Sequence, residues 1–86
     1  MTVTHNAPLG RYEMETEHGL AVAIYVQQGD RLVFTHTEVP DADEGKGIGS
    51  RLVRAALDDA RQRGFKVVPA CSFVAAFMRR HPEYAA

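Results

Sequence analysis

Three glycines, Gly45, Gly47 and Gly49, alternate between an apolar strand-like run and a helix-like run. Glycine lets the backbone approach a ligand closely and adopt conformations that other residues avoid. A helix beginning here would point its free N–H groups and its positive dipole end into the loop. Lys46 and Arg51 add positive charge. The segment predicts a phosphate or pyrophosphate site, with a plain glycine-rich turn as the alternative.

Two common phosphate motifs do not fit this loop. A P-loop places Ser or Thr directly after its lysine, whereas Gly47 follows Lys46 here. The dinucleotide fingerprint requires a third glycine where Ser50 stands, together with a parallel βαβ unit. The loop is therefore neither of these motifs.

Cys71 is the first candidate for chemistry. It follows a predicted strand and precedes a helix predicted to begin near Ser72. A thiol at a helix N-terminus has its thiolate stabilised by the free amides, which lowers its pKa. Such a thiol can act as a nucleophile or an acid/base partner, and an inert buried cysteine is the alternative.

His36 and Glu38 are the second candidates. Because they are two residues apart on a predicted strand, their side chains share one face, and Thr35 and Thr37 share the other. A histidine beside a carboxylate can accept the proton that an ammonium substrate must lose before it attacks. A solvated polar strand face is the alternative.

Three strands precede the loop. Residues 11–17 alternate between apolar and acidic side chains, which predicts a half-buried strand. Residues 20–26 form a nearly continuous apolar run, typical of a central strand. Residues 31–39 are rich in β-branched and aromatic residues and form the third. The short turns between them predict an antiparallel meander.

The pattern after the loop has a helical period. Apolar residues recur at helical spacing in the order Ile48, Leu52, Ala56, Leu57 and Ala60. Gly64 is expected to end this helix, residues 65–68 to form a strand parallel to the third, and residues 73–80 a second helix. The order β-β-β-α-β-α predicts an α+β fold with a mainly antiparallel sheet and two helices.

Composition limits the class of protein. The 86 residues predict one domain, with residues 1–9 as a loose lead-in, and a chain this small favours a homodimer. A net charge of −1 gives no electrostatic footprint for nucleic acid. One cysteine excludes an internal disulfide, and His5, His18 and His81 lack metal-ligand spacing, so no metal is expected. With no signal peptide in residues 1–9 and no membrane-length apolar run, the cytoplasm is the expected location.

Residues 44–49 resemble the acyl-coenzyme A loop of the GNAT N-acetyltransferases, Gln/Arg-x-x-Gly-x-Gly/Ala, with Glu44 in place of the leading Gln or Arg. Two further segments, Phe34-Thr-His-Thr-Glu-Val39 and His81-Pro-Glu-Tyr84, are similar to the short single-domain branch often called YjdJ-type. The resemblance covers nearly the whole chain from Arg11 to Tyr84. Compared with larger members of the family, the chain is expected to lack the first helices and last strands, which build their substrate groove.

The resemblance implies that acetyl-CoA lies in a wedge between splayed parallel strands. The backbone at the end of the third strand would pair with the pantetheine arm, the loop amides would hold the pyrophosphate, and the thiol would lie by the thioester. The implied cofactor-binding residues are Thr37, Glu38, Val39, Gly45, Lys46, Gly47, Ile48, Gly49, Ser50, Arg51, Cys71 and Phe73.

The resemblance also implies an activity, the transfer of an acetyl group from acetyl-CoA to a primary amine of a protein or a small molecule. The catalytic candidates are Cys71, His36 and Glu38. Direct transfer and an acetyl-cysteine route both remain open, with direct transfer favoured. Met78 stands where larger members carry a tyrosine that protonates the leaving thiolate. The alternative is an acyl-CoA-binding module without turnover. Arg79 and Arg80 could meet a CoA phosphate, but paired arginines at a helix C-terminus also complement the helix dipole, and that is the role expected here.

Overall fold

The computed structural model describes residues 2–84 and contains one five-stranded sheet with strand order β1-β2-β3-β4-β5. The first four strands are antiparallel to their neighbours, and β5 is parallel to β4. The elements are β1 (Val3–Asn6), β2 (Arg11–Thr16), β3 (Gly19–Gln28), β4 (Arg31–Glu38), α1 (Ile48–Gln62), β5 (Lys66–Pro69) and α2 (Ser72–Arg80). The predicted α+β class, with three antiparallel strands, a crossover helix, a parallel strand and a second helix, is confirmed.

The N-terminal segment differs from the prediction. The expectation of a loose lead-in at residues 1–9 is wrong for residues 3–9, because β1 pairs with β2 along its whole length and a 3₁₀ turn follows, while residue 1 lies outside the described residues. His5 fixes this strand: its ring stacks on Tyr12 with centroids 4.3 Å apart, and its Nε2 lies 2.5 Å from the Tyr25 hydroxyl. These contacts come from residues distant in the chain, so no local pattern in four residues could predict them.

Both helices pack on one face of the sheet. Tyr12, Met14, Ala23 and Phe34 alternate on that face and form a single buried cluster with the apolar sides of α1 and α2. The alternation that predicted this face on β2 is therefore confirmed. Period-2 burial along the strands and period-3.6 burial along the helices together build the core.

The opposite face of the sheet carries no helix within residues 2–84. Leu20, Val22, Ile24 and Val26 of β3 lie there, and we call it the helix-free face. Val22 is buried yet lies outside the main cluster, while Leu20 and Val26 are 40% and 51% exposed. This face is therefore only partly covered, and no described helix packs on it.

Helix α1 begins at a glycine and ends at a glycine. Gly47 is the N-cap and has a φ of 76°, and Gly64, which follows the C-cap, has a φ of 87°. Residues with a Cβ rarely adopt this left-handed conformation. The predicted end of the helix is confirmed. Within the described part of the chain, neither helix is long and apolar enough to cross a membrane.

A β-bulge and a proline open a wedge at one end of the sheet. Ile24 pairs with His36 but the next residue, Tyr25, pairs with Phe34, so Thr35 is an extra residue in β4. Such a bulge bends its strand and increases the local twist. The pairing of β4 with β5 ends at Phe34 and Pro69. Beyond that point the outer edge of β4 has no strand partner in residues 2–84.

Candidate functional site

The glycine loop presents unpaired amides. The first helical hydrogen bond of α1 runs from the Arg51 amide to the Gly47 carbonyl, at 3.1 Å. In residues 2–84, no backbone or side-chain acceptor meets the amides of residues 45–50. Gly45 and Gly47 have φ values of 83° and 76°, which turn the chain so that the loop curves toward the start of the helix. Free amides at a helix start suit an anionic group.

A cavity of about 470 Å³ lies over these amides and reaches the open edge of β4. Residues of three elements line it: the end of β4, the loop with the first turn of α1, and one side of α2. The lining residues are Thr37, Val39, Asp43, Glu44, Gly45, Gly47, Ile48, Gly49, Ser50, Phe73 and Arg80. The cavity thus joins a loop with free amides to an unpaired strand edge.

Gly49 is required for packing rather than for an unusual conformation. Its backbone is ordinary helix, but a Cβ at this position would lie 2.7 Å from Cζ of Phe73. The Phe73 ring therefore lies directly on the helix start and forms a wall of the cavity.

Cys71 sits at the inner end of the wedge. Its amide donates to the Phe34 carbonyl at 2.8 Å, which attaches the start of α2 to β4 just where β5 leaves. Its Sγ lies 3.6 Å from the Thr37 hydroxyl. Burial alone would raise the pKa of the Cys71 thiol. The amides of Val74 and Phe73 and the hydroxyl and amide of Thr37 outweigh burial, and the pKa is lowered from its ordinary value.

His36 and Glu38 lie on the other side of β4. They pair across the sheet with Ile24 and Val22, so both side chains project from the helix-free face. His36 Nε2 lies 2.9 Å from a Glu38 carboxylate oxygen, and the two side chains are 58% and 59% exposed. The predicted shared face is confirmed. The strand separates this pair from Cys71.

Most of the residues predicted to bind the cofactor line the cavity, and four do not. Those in the lining are Thr37, Val39, Gly45, Gly47, Ile48, Gly49, Ser50 and Phe73. Glu38 projects from the helix-free face, Arg51 is exposed on α1, and Cys71 lies next to Thr37 beneath the lining. Lys46 is held by Asp43, with Nζ 3.1 Å from its carboxylate.

Asp43 is the site residue that the sequence reading missed. Its side chain is only 1% exposed, and it accepts hydrogen bonds from the Thr16 hydroxyl at 2.7 Å and the His18 amide at 3.3 Å. The His18 Nδ1 atom lies 2.9 Å from its other oxygen. Hydrogen bonding from His18, followed by that from Thr16, holds the pKa of the Asp43 carboxyl well below its usual range. Asp43 thus fastens the segment before the glycine loop to the β2–β3 turn.

Glu17, His18 and Asp43 each bring one potential metal-ligand atom within 4.8 Å of the others. Sequence spacing did not reveal this group, because the loop and the turn meet only in the folded chain. The Asp43 carboxylate is already bonded to Thr16, and Lys46 places an ammonium group 3.1 Å away. Positive charge at that distance opposes a second cation.

Comparison with known proteins identifies the family. The family model described as GCN5-related N-acetyl-transferase matches residues 11–86. The chain belongs to this family. The NMR solution structure of a GCN5-like protein from Staphylococcus aureus has a TM-score of 0.74 to this chain, with 98% of this chain and 83% of that chain covered. At 22% sequence identity, this likeness supports the shared fold.

Several vertebrate relatives carry the name Protein NATD1. The chicken protein (Gallus gallus) is 32% identical over an alignment of 100 positions that covers 93% of this chain and 91% of that protein. The bovine (Bos taurus) and human (Homo sapiens) proteins are each 38% identical over 66 residues, 76% of this chain. The matched region spans only 58% of the length of each of these two mammalian relatives.

Proposed function

We propose that this chain is an N-acetyltransferase that transfers an acetyl group from acetyl-CoA to a primary amine. The observation that carries the proposal is the cavity that joins the free amides of residues 45–50 to the unpaired edge of β4. The amides suit the diphosphate of a CoA ester, and the strand edge suits its amide-containing pantetheine arm. Membership of the GCN5-related family supports the same function.

Acetyl-CoA supplies an activated acetyl thioester, and the protein positions it. In this proposal the diphosphate binds at the start of α1 and the pantetheine runs along Thr37 and Val39. The thioester then lies in the wedge beside Cys71. The lining of the cavity by Thr37, Val39 and the glycine loop supports this path.

The acceptor amine approaches from the helix-free face. The exposed His36–Glu38 pair lies there, at the end of the sheet where the wedge opens. An alkylammonium group must lose a proton before its nitrogen can attack the thioester carbon, and the His36 imidazole, oriented by Glu38, accepts that proton. The new C–N bond forms as the C–S bond breaks, the electron pair leaves with the CoA sulfur, and the acylated nitrogen releases its second proton to solvent.

The position of Cys71 favours direct transfer over an acetyl-cysteine intermediate. The Cys71 thiol contacts the Thr37 hydroxyl, and the His36 imidazole that could activate the thiol lies on the opposite face of β4. Cys71 is better placed to donate a proton to the departing CoA thiolate. This role replaces the tyrosine of larger members, because Met78 is buried and cannot donate a proton.

The activity can be tested by measuring the free CoA thiol that transfer releases, with a thiol-reactive dye as the reporter. Lysine peptides, peptide N-termini and polyamines serve as candidate acceptors. We expect turnover with at least one amine. His36→Gln should lower kcat/KM about 10²-fold, at the low end for a general base because the pair is solvent-exposed. Binding of acetyl-CoA without turnover across this panel would favour an acyl-CoA-binding module instead.

Intact-mass measurement distinguishes the two chemical routes. After incubation with acetyl-CoA and no amine, direct transfer predicts no acetyl group on Cys71. Cys71→Ala should retain most of the affinity for acetyl-CoA and lose roughly tenfold in kcat, the lower range of acid catalysis. A stable or transient acetyl adduct on Cys71, with complete loss of turnover in the variant, would overturn direct transfer.

A further inference from the structure

The loop at residues 44–49 lacks the Gln or Arg side chain that the acyl-coenzyme A loop pattern has at its first position. Glu44 stands there, exposed at the rim of the cavity. A carboxylate cannot donate to a phosphate and repels it. Any positive charge that faces a phosphate in this cavity must therefore come from another residue.

The basic residues around the loop differ in their availability. Lys46 is engaged by Asp43, with Nζ 3.1 Å from the carboxylate. Arg51 is exposed on α1 and does not contribute to the lining. Arg80, at the last position of α2, lines the cavity together with Glu44 and Ser50. Among the ion pairs of residues 2–84, none includes Arg80.

We propose that Arg80 binds the ribose 3′-phosphate of coenzyme A and makes this chain selective for CoA esters over their dephospho forms. The inference rests on the proposed function. CoA carries phosphate in two places, the diphosphate and the 3′-phosphate. The free amides of residues 45–50 suit the diphosphate, so the second anion requires a separate donor. A guanidinium group can bind a phosphate monoester through two parallel hydrogen bonds.

The neighbouring arginine provides a matched control. Arg79 is also exposed on the last turn of α2, but it lines a different cavity, with Val67, Pro69 and Met78. Replacing either arginine removes one positive charge from the same helix end. Any difference between the two variants therefore reports the position of the side chain rather than net charge.

Calorimetric titration of acetyl-CoA and of 3′-dephospho-acetyl-CoA into the full chain tests the proposal. Wild-type protein should bind acetyl-CoA about tenfold more tightly than the dephospho form, as expected for one solvent-accessible charge-assisted contact. Arg80→Ala should lose this preference by weakening acetyl-CoA alone. Arg79→Ala should keep it, and Arg80→Lys should retain part of it.

Three outcomes would overturn the proposal. Wild-type protein could bind both ligands equally, Arg80→Ala could weaken both by the same factor, or Arg79→Ala could abolish the preference as fully as Arg80→Ala. Each of these leaves acetyl-CoA binding, and hence the proposed function, intact. Failure of wild-type protein to bind either ligand at millimolar concentration would overturn the proposed function as well.

Discussion

The contact between Gly49 and Phe73 links the first turns of the two helices at the wall of the cavity. A Cβ on residue 49 would come within 2.7 Å of the ring, so this pair permits no larger residue without movement. Phe73 is 37% exposed, and its ring can therefore swing outward into solvent. Displacement of the ring, rather than unfolding, is the expected response to crowding here.

Gly49→Ala should weaken acetyl-CoA binding while changing the free energy of unfolding by no more than ~1 kcal/mol. Alanine gains about 0.5–1 kcal/mol over glycine in a helix, which offsets much of the overpacking cost. Urea unfolding and ligand titration measure the two quantities. Phe73→Leu in the Gly49→Ala background should restore part of the affinity. Unchanged affinity in Gly49→Ala would show that the ring does not shape the site.

Individual site residues were predictable from the sequence only where the residue type itself indicates an unusual backbone conformation. The glycines identified the loop because φ values near +80° at Gly45 and Gly47 have a local sequence signal. Asp43 had no such signal, since its partners Thr16 and His18 come from a turn that meets the loop only after folding. The position of Arg80 in the cavity depends in the same way on how α2 docks.

At the scale of elements, Asp43 joins the segment before α1 to the turn between β2 and β3. Removing its charge should therefore loosen the loop and free Lys46. We expect Asp43→Asn to have a lower melting temperature and a weaker affinity for acetyl-CoA. Thr35→Ala, on the exposed bulge, serves as a control for a general effect of substitution near the wedge.

The effect of Asp43→Asn on the free energy of unfolding should depend on pH, because the pKa of the Asp43 carboxyl is lowered in the folded protein. A carboxyl whose pKa is lower in the folded state stabilises the protein above its unfolded pKa, about 3.9, and loses this contribution as the pH falls through its folded pKa. The difference in unfolding free energy between wild type and variant should be constant near pH 7 and shrink below about pH 4. A difference independent of pH down to pH 2 would contradict this account.

Strongly patterned elements were predicted well, and the weakly patterned one was not. The apolar stripe of α1 and the alternation in β2 gave elements within a residue or two of those observed. Strand β1 has four residues and lies beside a proline-containing 3₁₀ turn, Ala7–Leu9. Its stability comes from pairing with β2 and from the His5 contacts, which are tertiary. The bulge at Thr35, which helps to open the wedge, likewise has no sequence signal.

At the scale of the whole molecule, a second polar cluster lies near the β1 edge of the sheet, across from the β5 edge. His5 contacts Tyr12 and Tyr25 and lies 3.8 Å from the Asp59 carboxylate of α1. Asp59 accepts hydrogen bonds from the Tyr12 hydroxyl and from Arg63, both at 2.7 Å. Burial, followed by the charge of Arg63, lowers the pKa of His5. The cluster therefore holds the edge strand through a neutral imidazole.

The contribution of His5 to stability should consequently fall as the pH decreases from about 6.5. A histidine whose pKa is lower in the folded state takes up its proton more readily when unfolded, so the loss begins at its unfolded pKa and levels off below its folded one. Urea unfolding between pH 5 and 8 measures this dependence. His5→Gln should reduce the slope. Identical slopes in wild type and His5→Gln would exclude His5 as the cause.

The parallel pairing of Arg31 with Lys66 joins distant parts of the chain, whereas short turns connect the other strand pairs. Closing a long loop costs more entropy than closing a hairpin, so we expect the meander to form early and β5 to dock late. The wedge exists only after that step. Acetyl-CoA should then slow unfolding while leaving the folding rate nearly unchanged, which stopped-flow kinetics can measure. The lifetime of the folded chain would depend on how much of its substrate surrounds it.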